Sequence, residues 1–397
     1  MPPARASLSA FLARAKKVLA APASQRPTPL TFVVGNESAD RDSLCSALLF
    51  AYIRSHAPPH YTLHIPISNL PRADLALRPE LNAVLKYTDV QAGDLLTLSE
   101  LAQVKDLDPA QTRWLLVDHN ALTGQLEGPY SQFVVGCVDH HEDEGKVPAD
   151  GDPRVVRKTG SCMSLVVESC RDTWDSLSAE ADSTEVDAHL AHVALGPILI
   201  DTTNLTSKDK TTDTDVEAVD FIEAKLGSEA GYDREKFFDE VTRVKEDVSG
   251  LSYRDLFRKD YKQWNDGNMV LGVSSIVQNF DYMLSKIGDE KTLVQELREW
   301  AEEQHLDIAS IMTTSHTNGF SRDLMVWALN KEAVKVVKTF VDKNKDELKL
   351  ETWGDGKLDD TNGPDELRLC WRQKQTRHSR KQVAPMLRSA MKETPKL

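Results

Sequence analysis

The chain is short of cysteine, of long apolar runs and of positive charge. Its five cysteines, Cys45, Cys137, Cys162, Cys170 and Cys370, are an odd number with no C-x-x-C spacing. That excludes a disulfide framework and a thiolate zinc site, and it fits buried thiols in a reducing compartment, with the cytoplasm as the expected location. No window approaches the roughly 20 apolar residues that span a bilayer, and no apolar signal core lies near the start, so no membrane partner is expected. Lys and Arg number 48 against 62 Asp and Glu, for a net charge of −14. Non-specific nucleic-acid binding needs a broad basic surface and is excluded. A polyanionic substrate is not, because bound divalent cations and one basic cluster can reverse the field locally. No internal repeat or low-complexity tract occurs.

Two stretches lack acids altogether. Met1–Leu30 carries Arg5, Arg14, Lys16, Lys17 and Arg26 with many Ala and Ser. It reads first as a docked amphipathic helix with Leu8, Phe11, Leu12, Ala15 and Leu19 on one face, and second as a mitochondrial transit peptide, which would place the protein in the matrix. Arg368–Lys381 holds Arg368, Arg372, Lys374, Arg377, Arg380 and Lys381, a local reversal of charge suited to gripping phosphate. Lys259 and Lys262 could add to the same field.

What is present is a set of acidic and histidine-bearing clusters at the ends of apolar runs: Val33–Ser43, Leu115–Asn120, Val134–Asp143 and Gly196–Thr203. Between Leu30 and Thr203, strand candidates at Phe32–Val34, His64–Ile67, Trp114–Val117, Phe133–Val138 and Ile198–Ile200 alternate with helical patterns. Such alternation implies a parallel sheet with helices on both faces. Chemistry in such sheets gathers beyond the carboxyl ends of the strands. Four ends could bring Asp40, Asp42, Asp118, Asp139, His140, His141 and Asp201 into one cleft. Carboxylate and imidazole without thiolate suit Mg²⁺ or Mn²⁺. Taken singly, Asp40 and Asp42 read as well as helix caps, and Asp118 as a turn residue. Gly160-Ser161, opening a helix at Cys162, presents free N–H groups that could bind an anion. Glu142–Pro153 reads as a polar rim. Asn204–Gly250 is charge-rich and reads as a helical linker, and the pattern from Leu251 onward reads as a smaller α/β unit.

At these residues the chain resembles the DHH phosphoesterase superfamily, along nearly its full length. The resemblance rests on G-N-E-S-A-D-R-D-S at Gly35–Ser43, V-D-H-N at Val117–Asn120, D-H-H at Asp139–His141 and G-S-C-M-S-L-V at Gly160–Val166. It continues in I-L-I-D-T-T-N at Ile198–Asn204, K-D-Y-K-Q-W at Lys259–Trp264 and S-R-K-Q-V-A-P at Ser379–Pro385. Within the superfamily the chain is most similar to the fungal exopolyphosphatases, relatives of family II inorganic pyrophosphatases and of prune proteins. The resemblance implies an α/β fold in which a parallel-sheet catalytic domain (1–203), a linker (204–250) and a C-terminal mixed-sheet substrate domain (251–397) place the active site in the cleft between the domains.

The resemblance implies ligation of two divalent cations, Mg²⁺ or Mn²⁺ and possibly Co²⁺, by Asp40, Asp42, Asp118, His140 and Asp201, with Asp118 bridging. It implies phosphate contacts from His141, Lys262, Arg380 and Lys381, with Asp118 and His141 catalytic and Asp139 orienting a histidine. Asn36 stands where family II pyrophosphatases have a metal-binding His, which implies a looser metal site. Prune proteins have D-H-R where this chain keeps His141. The expected activity is hydrolysis of linear inorganic polyphosphate by a monomer, releasing terminal orthophosphate. The alternatives are an inorganic pyrophosphatase, a short-chain nucleotide phosphohydrolase, or a prune-like interaction protein.

Overall fold

The computed structural model describes residues 5–179, 183–226, 231–266, 268–287, 289–315, 319–361 and 363–393. The chain divides into two compact units, Met1–Lys245 and Glu246–Leu397.

The first unit is built on β1 (Leu30–Val34), β2 (His64–Ile67), β3 (Thr112–Val117), β4 (Val134–Asp139) and β5 (Arg154–Val156). All pair in parallel, in the order β2-β1-β3-β4-β5. The apolar runs L-T-F-V-V in β1 and W-L-L-V in β3 are buried throughout, as strands covered on both faces must be. The helices are α1 (Leu8–Ala20), α2 (Arg41–Ser55), α3 (Pro79–Leu85), α4 (Leu98–Ala102), α5 (Gly124–Tyr130), α6 (Cys162–Ser178), α7 (Thr184–Asp201), α8 (Asp213–Leu226) and α9 (Arg234–Glu246).

The amphipathic α1 buries Leu8, Phe11, Leu12, Ala15 and Leu19 in the core of this unit. Before it, Arg5 pairs with Asp187 and donates to Leu177 O at 3.0 Å, while Trp174 Nε1 donates to the same carboxylate at 2.8 Å. No helix among the described residues is long and apolar enough to cross a membrane.

Two expectations are corrected. Ile198–Ile200 is not a strand; it is the last turn of α7, which buries nearly all of Leu190–Ile200. An apolar run covered on every side has no readable period, so a buried helix and a buried strand look alike in sequence. The segment 204–250, expected as a helical linker, does hold two helices, but they pack into the first unit. Ala218, Val219, Ile222 and Leu226 of α8 and Phe237 and Val241 of α9 belong to the first unit's core, and the unit ends at Lys245.

The second unit holds a mixed sheet of β6 (Tyr261–Asp266), β7 (Met269–Ile276), β8 (Ile308–Thr313), β9 (Asp323–Ala328), β10 (Leu350–Thr352) and β11 (Leu367–Gln373). Its order is β10-β11-β9-β8-β7-β6, and only β7 and β8 run parallel. The helices α10 (Tyr253–Lys259), α11 (Phe280–Ile287), α12 (Glu290–Glu303), α13 (Lys331–Leu348) and α14 (Arg380–Glu393) complete it. The short, polar strands β5, β6 and β10 gave no clear signal in sequence.

Candidate metal centre

The site begins where β1 ends. A Cβ on Gly35 would lie 2.8 Å from the Ser43 carbonyl oxygen, so only glycine lets the strand exit pass under α2. The loop that follows is pinned by the buried Arg78, whose Nε donates to Ala39 O at 2.7 Å and Nη2 to Ser38 O at 2.5 Å. Asp40 is the N-cap of α2; its Oδ1 accepts from Ser43 N at 3.0 Å. The capping reading of Asp40 therefore describes a real contact.

Asp42 lies in the first turn of α2 and is only 2 % exposed. Its carboxylate accepts from Ser161 Oγ (2.9 Å), Cys162 N (2.7 Å) and Met163 N (3.0 Å). The opening of α6, expected to present N–H groups to an anion, is occupied by the protein's own Asp42 carboxylate. A second one, Asp215, takes Gly160 N at 2.9 Å and Ser161 N at 3.2 Å.

Asp118 follows β3 with a left-handed backbone, φ 61°. Its Oδ2 accepts from Asn36 Nδ2 and from Ser43 Oγ, each at 2.7 Å. The Asn36 amide oxygen is taken by Ser38 N at 2.9 Å, so Asn36 faces Asp118 as a donor. Beneath, the Cys162 thiol lies 3.2 Å from both Asp118 N and Val138 O. Burial, then the Asp42 and Asp118 charges, push this thiol well up, so it stays protonated and inert.

β4 delivers the histidines. His140 Nδ1 lies 3.1 Å from Thr159 O, which can only accept, so this nitrogen carries the hydrogen. In the neutral ring Nε2 is then bare, and it lies 3.1 Å from Asp118 Oδ1 and 4.0 Å from Asp42 Oδ2. His141 Nδ1 sits 2.8 Å from Asp139 Oδ1 and 3.7 Å from Asp118 Oδ1. Asp139 is fully buried and also accepts from Asn120 Nδ2 at 2.6 Å and His140 N at 2.8 Å. Burial alone would raise its carboxyl; the hydrogen bond and charge of His141 outweigh that and hold it at about 2. Asn120 also bonds Glu142 O at 2.9 Å and Glu144 N at 2.7 Å, tying the start of the expected rim to the centre.

Asp201 closes α7, so it comes from a helix end and not from a fourth strand end. Thr203, Asn204 and Leu205 just beyond it all have left-handed φ, 52°, 53° and 62°. Arg41 Nη2 lies 3.1 Å from Asp201 Oδ1. The sequence gives no role at the centre to Arg41, Ser43 or Arg78, and marks Cys162 only as a buried thiol. The seryl and cysteinyl partners lie inside quoted motifs, where their position next to predicted ligands was the available signal.

The donor set fits cations. One ligand atom each of Asp118, His140 and His141 lies within 4.8 Å of the others. A bare imidazole nitrogen facing a carboxylate oxygen at 3.1 Å sets two lone pairs against each other, and only a cation or a proton relieves that. Two ligands of one octahedral ion with bonds of about 2.1 Å stand roughly 3 Å apart. The electrostatics agree: burial first, then Asp118 and Asp201, drive the Asp42 carboxyl well up, with Asp40 adding to them against His140. This is the field of crowded acids that a divalent ion would neutralise.

The remaining predicted residues are in the second unit. Lys262 is on β6, and Arg380 and Lys381 open α14. Arg380 is paired with Asp260, at 2.7 Å to the carboxylate and 3.0 Å to the carbonyl. The basic run expected to form a phosphate track is largely matched by local partners. Arg368 stacks 4.7 Å over Trp327, Arg372 meets Asp323 at 3.3 Å, and Lys374 meets Glu351 at 3.2 Å.

The DHHA2 domain family matches residues 239–390. A Schizosaccharomyces pombe protein named "Putative exopolyphosphatase" is 32% identical over 369 residues, 91% of this chain and 91% of its own. Exopolyphosphatase PRUNE1 of Homo sapiens is 26% identical over 294 residues, 73% of this chain and 61% of its own length. A manganese-dependent inorganic pyrophosphatase of Methanothrix thermoacetophila is 25% identical over 289 residues, 71% of this chain and 80% of its own. Among solved structures, a Methanococcus jannaschii protein described as a putative family II inorganic pyrophosphatase superposes with a TM-score of 0.59 at 19% identity, over 91% of this chain and 99% of that one, which shows a shared fold. The identity to the fission-yeast protein along nearly all of both chains makes this chain a member of the DHH phosphoesterase superfamily.

Proposed function

We propose that this phosphohydrolase is an exopolyphosphatase that releases terminal orthophosphate from linear inorganic polyphosphate with two divalent cations. The observation that carries the reading is the convergence of ligand atoms of buried Asp118 and His140 and half-buried His141, in a chain similar to a named exopolyphosphatase over nearly its whole length. Asp40, Asp42, Asp118, His140 and Asp201 would hold the cations, with Asp118 serving both. When bound, Mg²⁺, Mn²⁺ or Co²⁺ would lower the pKa of a water and offset phosphate charge.

The protein's own residues set the rest. Asn36 and Ser43 fix Asp118 Oδ2, leaving Oδ1 turned toward His140. Thr159 fixes the His140 tautomer, as outer partners of metal-binding histidines commonly do. Asp139 orients His141 by its contact with Nδ1, so that the opposite edge of the ring can face a phosphate oxygen. Lys262, Arg380 and Lys381 would contact phosphate as positive charges, Arg380 while held in place by Asp260.

The test is phosphate release from long-chain polyphosphate, tripolyphosphate and pyrophosphate, each with Mg²⁺, Mn²⁺ and Co²⁺. The proposal expects the fastest release from polyphosphate, one orthophosphate at a time. Turnover confined to pyrophosphate would replace it with the pyrophosphatase reading, and no metal-dependent turnover at all would favour an interaction protein.

A further inference from the structure

We propose that Asp215 is a positioning residue for the metal centre: this one buried carboxylate fixes the cradle of Asp42 and the turn that follows Asp201 as a single unit. The inference rests on the cation reading above and goes beyond it by assigning a role to a residue outside the ligand set.

The run T-T-D-T-D at Thr211–Asp215 opens α8 in an ordinary way, with a threonine before the helix and an acid three residues on. That local contact exists: Thr212 N and Oγ1 each donate to Asp215 Oδ2 at 2.8 Å. The same carboxylate also reaches the start of α6. Its Oδ2 accepts from Gly160 N at 2.9 Å, and its Oδ1 from Ser161 N at 3.2 Å and Ser164 Oγ at 2.6 Å. Asp215 is fully buried, and three of its donors lie on α6 or just before it, which capping α8 alone does not require.

Four successive N–H groups at the opening of α6 are thus shared by two acids. Gly160 and Ser161 give theirs to Asp215, and Cys162 and Met163 give theirs to Asp42. Ser161 serves both acids. Its backbone is held by Asp215, while its Oγ donates to Asp42 Oδ1 at 2.9 Å. A shift at Asp215 therefore moves the cradle of Asp42.

The turn after Asp201 leans on the same seam. A Cβ on Gly160 would lie 2.6 Å from Thr202 Cγ2 and 3.1 Å from Lys210 O, so the turn packs directly on backbone that Asp215 holds. Thr203, Asn204 and Leu205 are left-handed, a conformation that residues with a Cβ keep only where their surroundings impose it. Asp215 supplies that constraint at two points, through Gly160 beneath Thr202 and through Thr212 where the turn ends.

The test uses Asp215→Asn in the full-length protein. The amide keeps the bulk but sets an NH₂ group against N–H donors. In the metal-free variant, deuterium exchange should quicken at 160–163 and 202–212. Titration with Mn²⁺, following the free ion by electron paramagnetic resonance, should show binding weakened by about tenfold or more, the size expected when a partner that orients a metal ligand is lost. The Mn²⁺ concentration for half-maximal phosphate release should rise in step, while the rate at saturating Mn²⁺ is largely kept, since more metal answers a misplaced ligand. Wild-type binding in the folded variant overturns the proposal and leaves Asp215 a helix cap. Weaker binding without faster exchange also overturns it, and so does a rate that stays low at saturating Mn²⁺. Should Asp215→Asn fail to fold by thermal melting, Gly160→Ala decides. Its methyl group wedges Thr202 away from α6 and should weaken Mn²⁺ binding as well; unchanged binding there overturns the proposal. Asp42→Asn separates this from the parent reading. If that variant binds Mn²⁺ as wild type does, or if wild type takes up none, the cation assignment itself falls, whatever Asp215 does.

Discussion

The backbone N–H of Cys162 donates to the Asp42 carboxylate at 2.7 Å, across 120 residues of sequence. With Met163 N and Ser161 Oγ it places a negative charge on the opening of α6 and fastens two helices at the metal centre. The same charge is crowded by Asp118 and Asp201. Asp42 is thus held by neutral donors and strained by its acidic neighbours, a balance that a cation would tip.

Asp42→Asn should therefore behave differently with and without metal. In metal-free buffer its melting temperature is expected to equal or exceed that of wild type, since a crowded charge is removed. Saturating Mn²⁺ should raise wild type by roughly 5–10 °C through binding linkage. The variant should gain less than half of that. Thermal melts at matched ionic strength measure both, and a full gain in the variant would remove Asp42 from the ligand set.

Asp118→Asn tests the centre of the site. Asn36 and Ser43 can still hydrogen-bond an amide oxygen, so circular dichroism should match wild type. Phosphate release from polyphosphate should fall on the order of 10³-fold or more, the size seen when a group acting as part of a catalytic unit is lost. Retention of a tenth of the wild-type rate would defeat the assignment.

His64, remote from any proposed ligand, gives a pH prediction. Burial pulls its imidazole down to about 4, against a hydrogen bond to Thr62 O that works the other way. The unfolded chain titrates near the ordinary value of about 6.5. Between those values the unfolded state binds more protons, so stability rises with pH from about 4 to 6.5 and falls on acidification. His64→Asn should flatten that stretch of the stability curve by up to about 3 kcal/mol. Urea unfolding at pH 7 and pH 4.5 checks it; equal acid sensitivity in the two proteins would refute it.

The pair of Arg5 and Asp187 should matter for folding. Their side chains are 5% and 6% exposed. Asp187→Ala leaves a buried guanidinium unpaired and the Trp174 N–H unmet, at a cost of roughly 3–5 kcal/mol. Arg5→Met combined with Asp187→Ala should recover part of it. A loss under about 1 kcal/mol in the single variant would mean that Arg5 reaches water.

Much of the first unit was legible because short apolar runs ending in Asp or His mark buried strands. The positions of Asp118 and Asp139-His140-His141 could be placed from that pattern alone. Asp201 was placed on the wrong element, since nothing in V-A-L-G-P-I-L-I separates a buried helix from a buried strand. The linker was misjudged because α8 and α9 are polar on their outer faces and bury narrow stripes. Arg41 was invisible: a cation between two acids in sequence looks like surface charge, and only the end of α7 folding against it reveals an ion pair. The acidic partners of the basic run, Asp323 for Arg372 and Glu351 for Lys374, lie on other strands and so could not be read from its own sequence.

The strand order β2-β1-β3-β4-β5 has one more consequence. The chain winds one way from β1 to β2, then back past β1 to β3 and onward. The connections leaving β1 and β3 therefore part company, and a notch opens over the two strand ends where no crossover runs. Asn36 and Asp118 face each other across it. The notch is a product of winding and would persist with almost any residues on its lips. What it binds is decided by a few side chains there, so one exchange can alter its chemistry without moving a strand.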